Sequence, residues 1–181
     1  MGSGRPTAVE ETRPGPPAPE SSRARTPKLR WRLATLILAA LVFNENVVQW
    51  ALAVRVGGYT ITAGFADAYE YFTLEGYVFA TAFRAVPYAA LGGVLVLLSK
   101  TRWRDFAWQV FIGGLLGSLG TILWGLWEAQ RPLYTDEHVS STTAIAFLFV
   151  PIFALGPGAA CALLMATMYL PFRLLSRRPS R

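Results

Sequence analysis

Four runs of roughly 20 apolar residues, at about 33–54, 77–98, 106–126 and 143–170, dominate this chain. Each is long enough for an α-helix to cross about 30 Å of hydrocarbon. Backbone N–H and C=O groups in lipid must be satisfied within the segment that carries them, so each run is expected to be helical. The predicted fold is therefore all-α: a polytopic membrane protein with a four-transmembrane-helix bundle at 29–175. Composition agrees, because 53% of residues are hydrophobic and only 15% charged, whereas a soluble domain carries about 25% charged residues.

The basic residues set the expected orientation. Arg23, Arg25, Lys28, Arg30 and Arg32 precede the first run, Lys100, Arg102 and Arg104 fill the second connection, and Arg173, Arg177, Arg178 and Arg181 follow the fourth. The other two connections hold only Arg55 and Arg131, against Asp67, Glu70, Glu75, Glu128, Asp136 and Glu137. With four spans, every basic cluster falls on one side, which predicts cytoplasmic N- and C-termini. A competing reading makes 33–43 the apolar core of a signal peptide, with Ala51-Leu52-Ala53 as its cleavage site; the long charged leader and the polar stretch 44–50 argue against it. The net charge of +6 raises nucleic acid as a partner, but the charges flank apolar segments and form no basic stripe, so none is expected. The expected partners are the lipid bilayer and, for packing, a second copy or other membrane subunits. Arginine outnumbers lysine 15 to 2, a bias expected of a GC-rich bacterial genome, and the predicted location is a bacterial inner membrane.

Residues 1–28 contain six of the twelve prolines. Such a segment buries too little apolar surface to offset its ordering entropy, and a disordered cytoplasmic tail is expected there. Residues 176–181 form a second, basic tail. The opening Met1-Gly2 lacks the Ser or Thr that myristoylation requires, because Pro6 stands in its place.

Two ionisable residues lie inside the apolar runs. Glu45 is 13 residues beyond Arg32, about 20 Å along a helix, and Arg84 is 16 residues before Lys100, about 24 Å. The two are thus expected at similar depth, where an ion pair lowers the cost of both charges. The alternative is a carboxylate that couples proton or ion movement. Asn44, Glu45 and Asn46 on one continuous helix would span some 200° of its surface. With Gln49 one turn beyond Glu45, they predict a polar pocket at this level.

In the third run, Gly113 and Gly117 form a GxxxG pair that Gly120 extends, a face suited to close helix packing. Gly92-Gly93 of the second run offers a matching surface. Pro151 and Pro157 predict a kink in the fourth helix, since each removes a helical hydrogen bond. The connection 57–76 is aromatic, and Phe65, Tyr69 and Phe72 lie at helical spacing. It reads either as a short interfacial helix or as an aromatic belt on an irregular loop. In the last connection Glu128, Asp136, Glu137 and His138 are weak metal-ligand candidates without an HExxH-type spacing. The stronger reading is that Asp136 and Ser140 to Thr143 supply N-cap candidates and an acidic first turn for the fourth helix. Cys161 is the only cysteine and His138 the only histidine, which excludes an internal disulfide, a cysteine cage and bis-histidine haem ligation. No cofactor, catalytic residue or resident metal is expected, and nothing marks an enzyme.

The segment SSTTAIAFLFVPIF at 140–153, preceded by LYTDEH at 133–138, resembles a motif of small bacterial four-span membrane proteins with no known activity. It implies four membrane helices and nothing about chemistry. An acidic residue in the first of four helices is also similar to small multidrug resistance transporters, but the match is that one feature. The long tail, the aromatic connection and Arg84 depart from it. Two functions are therefore expected in order: a non-enzymatic structural or accessory subunit, then a proton- or ion-coupled transporter using Glu45.

Overall fold

A computed structural model of the chain describes residues 27–135 and 142–176. The expected tail 1–28 falls almost wholly outside these residues, as do Asp136, Glu137, His138, Ser140, Ser141, Arg177, Arg178 and Arg181. Seven helices follow in order: α1 (Pro27–Val42), α2 (Glu45–Arg55), α3 (Ile61–Ala68), α4 (Leu74–Ser99), α5 (Ala107–Gln130), α6 (Thr142–Phe153) and α7 (Leu155–Ser176). Short 3₁₀ turns at Arg104–Phe106 and Arg131–Tyr134 bracket α5, and no strand occurs among the described residues.

Three stretches are long and apolar enough to cross a membrane: Leu74–Ser99, Arg104–Tyr134 and Leu148–Pro171. A fourth arises if the bent pair Leu29–Val42 and Glu45–Arg55 is counted as one span. The first apolar run is thus not one straight helix: it bends by 56° between α1 and α2. Asn44 causes the break. It takes extended backbone as the N-cap of α2, and its side chain accepts from Val47 N, offering the backbone a local alternative to continuing α1. Glu45 then falls in the first turn of α2, where a carboxylate suits the positive end of the helix dipole. The expectation of three polar side chains around one continuous turn is therefore corrected, since Asn44 stands outside the helix.

The core lies between α1, α2, α4 and α5, around Leu36, Leu52, Leu95, Ile122 and Leu126, all 2% exposed or less. Among the described residues, the start of α1, the turn before α5 and the latter part of α7 meet at one end of the bundle. Arg32 of α1 sits 5.4 Å from the Trp108 ring of α5, and Phe106 meets Tyr169 of α7 edge-on at 5.8 Å.

The glycine faces divide sharply. A Cβ at Gly113 would strike the backbone of Cys161 and Ala162, and one at Gly117 would approach Pro157 O at 2.7 Å. Both therefore pack α5 directly on α7. Gly120 has nothing within 4 Å of such an atom, so it does not extend that face. Gly92 contacts Leu33 and Leu36 of α1, not α5, and Gly93 meets open space. The fourth run is interrupted between its two prolines, with Ala154 separating α6 from α7. Pro157 lies in the first turn of α7, where a missing N–H costs little. Pro87, which the periodicity does not single out, is buried within α4 without ending it.

The aromatic connection is only partly helical. α3 ends at Ala68, so Tyr69 and Phe72 lie beyond it. Its buried residues are Gly64 and Ala68, with Phe65 turned outward. Gly64 lets α3 rest on Trp50, Ala53 and Val54 of α2. The aromatics instead stack on one another, Phe65 on Tyr69 at 4.5 Å and Tyr69 on Phe72 at 5.8 Å.

Candidate functional site

The break between α1 and α2 strips carbonyls at the end of α1 of their helical partners. In an apolar setting those groups need others. Side chains from α4 supply them. Tyr77 Oη donates to Leu41 O at 2.9 Å, and Arg84 Nε donates to Ala40 O at 3.4 Å. Asn44 works on both sides of the break, donating from Nδ2 to Leu41 O at 3.3 Å and accepting from Val47 N at 3.0 Å.

Arg84 is the centre of this arrangement. Its Nη1 forms an ion pair with Glu45 Oε2, its Nη2 donates to Thr81 Oγ1 at 2.7 Å, and the guanidinium lies 5.6 Å from the centre of the Tyr77 ring. Thr81, Tyr77 and Arg84 sit three and seven residues apart on α4, one face of a helix. That spacing was available in the sequence and would have found Thr81 and Tyr77. Gln130, at the end of α5, closes the site from the other side: its Nε2 donates to the backbone oxygen of Glu45 at 3.2 Å. No local pattern around Gln130 announces this contact, which joins positions 85 residues apart.

The pair is asymmetric. The Arg84 side chain is 3% exposed and that of Glu45 is 21%. Glu45 and Asn46 open onto a cleft of about 350 Å³ shared with Tyr71, Phe72, Tyr77 and Leu148. Gln49 does not join them: it lies beside Tyr134, whose hydroxyl donates to Asp67 Oδ2 at 2.5 Å. The predicted pocket residues therefore separate, with Asn44 in the break, Asn46 on the cleft and Gln49 in a second cluster tying α2 to α3 and the turn after α5. Two buried polar atoms near the break, Tyr88 Oη and Gln130 Oε1, have no hydrogen-bond partner among the described residues.

Glu128 is exposed on α5, and its proposed companions Asp136, Glu137 and His138 lie outside the described residues. Among the described residues no group of three His, Cys, Asp or Glu is placed to hold a metal ion.

Fold and site together define an all-helical protein with three to four helices fit to cross a membrane, the first of them broken and closed by an internal ion pair. Comparison with protein-family models, with curated proteins and with solved structures finds no match for the chain.

Proposed function

We propose that this chain is a four-span protein of a bacterial inner membrane, with both termini cytoplasmic, and that it serves as a non-enzymatic structural or accessory subunit. The clustering of Arg32, the Lys100–Arg104 connection and the end of α7 at one end of the bundle supports that orientation. The resemblance of 133–153 to small bacterial four-span proteins points the same way.

The observation that carries the structural role is the occupation of Arg84. Its donors go to Glu45, Thr81 and Ala40 O, so the buried charge fastens the broken first span to α4 in place of facing a ligand. Breaking a buried pair by removing one partner costs about 3–5 kcal/mol. Purification in mild detergent tests the accessory role: a second copy or another membrane subunit should co-purify. A partner-free monomer as the sole species would end this reading.

One observation favours a transporter as the second reading: the Glu45 carboxylate keeps an open side toward the 350 Å³ cleft. In that case Glu45 exchanges Arg84 for a proton or cation during the cycle. Glu45→Gln should then abolish substrate flux in cells, and undiminished flux removes Glu45 from the role.

A further inference from the structure

A second concavity lies away from the ion pair. A groove of about 410 Å³ runs between α4, α5 and α7 and continues into another of about 260 Å³. The two share Leu98, Val110 and Leu163, so they form one channel on the bundle surface. Small residues, Gly114, Ala159 and Ala162 among them, leave the space open. Its inner end closes where α7 begins, with Ser118 Oγ donating to Ala154 O at 3.4 Å. Its outer end is walled by Trp103, Phe106 and Leu170.

Length and charge identify the occupant. On α4 the channel extends from Pro87 to Leu98, and on α7 from Leu155 to Leu170. These walls are eleven and fifteen residues, about 16 and 22 Å of helix. One leaflet of hydrocarbon is about 15 Å, half of a 30 Å core. A partner helix crossing the membrane would need a seam along the full core of about 30 Å, longer than either wall, whereas an acyl chain reaches only from headgroup to midplane. The mouth is cationic. Arg102 stacks on Trp103 at 5.4 Å, the Arg104 side chain is 54% exposed with Asp105 at 4.0 Å, and exposed Lys100 ends α4.

We infer that the α4–α5–α7 groove binds one anionic phospholipid, its acyl chain in the channel and its phosphate at Lys100, Arg102 and Arg104. The inference rests on the membrane-spanning reading proposed above. Bilayer tails are as apolar as the groove, so hydrophobic burial contributes nothing to this binding. Contact packing holds the chain, and the basic mouth selects the headgroup.

Native mass spectrometry of the full-length protein in detergent, offered equal phosphatidylglycerol and phosphatidylcholine, provides the test. Phosphatidylglycerol should be retained in preference. Arg102→Ala with Arg104→Ala should lower its retention about fivefold per charge removed, without lowering phosphatidylcholine retention. Ala159→Phe, at an exposed position in the channel, should reduce retention of both lipids. Equal retention of the two lipids by the unmodified protein would overturn the inference, as would unchanged retention in the variants. So would an Ala159→Phe protein that loses a dimer but keeps its lipid, since the groove would then hold a second copy. Both ends of the bundle are accessible in detergent, so failure here leaves the proposed orientation untouched, and reporter fusions test that separately.

Discussion

Arg84 shows how a single charge is made tolerable inside an apolar bundle. It is surrounded by a carboxylate, a hydroxyl, a freed carbonyl and an aromatic face. Glu45→Arg or Arg84→Glu alone should sharply lower the amount of protein accumulating in membranes, measured by immunoblot of the membrane fraction. The double swap should restore accumulation only in part. It re-forms an ion pair, but it places a cation in the first turn of α2, against the helix dipole. Absence of any rescue would show that the two charges do not act as a pair. Asn44→Ala should cost about 1 kcal/mol through loss of the α2 cap, read as a lower midpoint in detergent thermal unfolding. Tyr88→Phe should leave that midpoint unchanged or raise it, because the buried hydroxyl has no hydrogen-bond partner among the described residues to lose. The Glu45–Arg84 pairing was legible from depth alone, by counting residues from the basic ends. The roles of Asn44 and Gln130 were not, for different reasons. Asn44 followed by an acidic residue is a recognisable cap signature, but the apolar run around it outweighs that signal. Gln130 acts on a backbone oxygen 85 positions away, and no local pattern reports that.

At the scale of elements, the packing of α5 on α7 depends on missing side chains. Gly113→Leu and Gly117→Leu should each disrupt folding, since even a Cβ there meets the backbone of α7. Gly120→Leu should be tolerated, with open space around it. Fluorescence-detected size-exclusion profiles of the three variants would separate these outcomes, and equal behaviour would contradict the packing described. The sequence marks all three as one small-residue face. It cannot report which of them meet α7, because that depends on where the partner helix crosses. A similar limit applies to the aromatic connection. Spacing at i, i+4 and i+7 across Phe65, Tyr69 and Phe72 suits one helix as well as an irregular aromatic loop, and the structure holds part of each: α3 stops at Ala68 and buries Gly64. The aromatics find partners in each other, leaving the small residues to make the contact with α2.

At the scale of the whole molecule, the proposed orientation makes a direct prediction. A fluorescent protein fused after Arg181 or inserted in the Lys100–Arg104 connection should fluoresce, and alkaline phosphatase inserted at Gly57–Gly58 should be active. Gly58, with φ of 71°, marks the turn between α2 and α3 and is a tolerant position for insertion. Activity in the reverse pattern would invert the topology. The helical class, the approximate limits of the long apolar segments and the pairing of Glu45 with Arg84 followed from the sequence alone. Lipid-length hydrophobicity and charge position are local properties that can be counted along the chain. The 56° bend in the first apolar run, the dispersal of Asn44, Asn46 and Gln49 to three surroundings, and the groove between α4, α5 and α7 were decided only in three dimensions. Each of these depends on which carbonyls, glycines and side chains meet across helices distant in sequence, and residue order does not encode that adjacency locally.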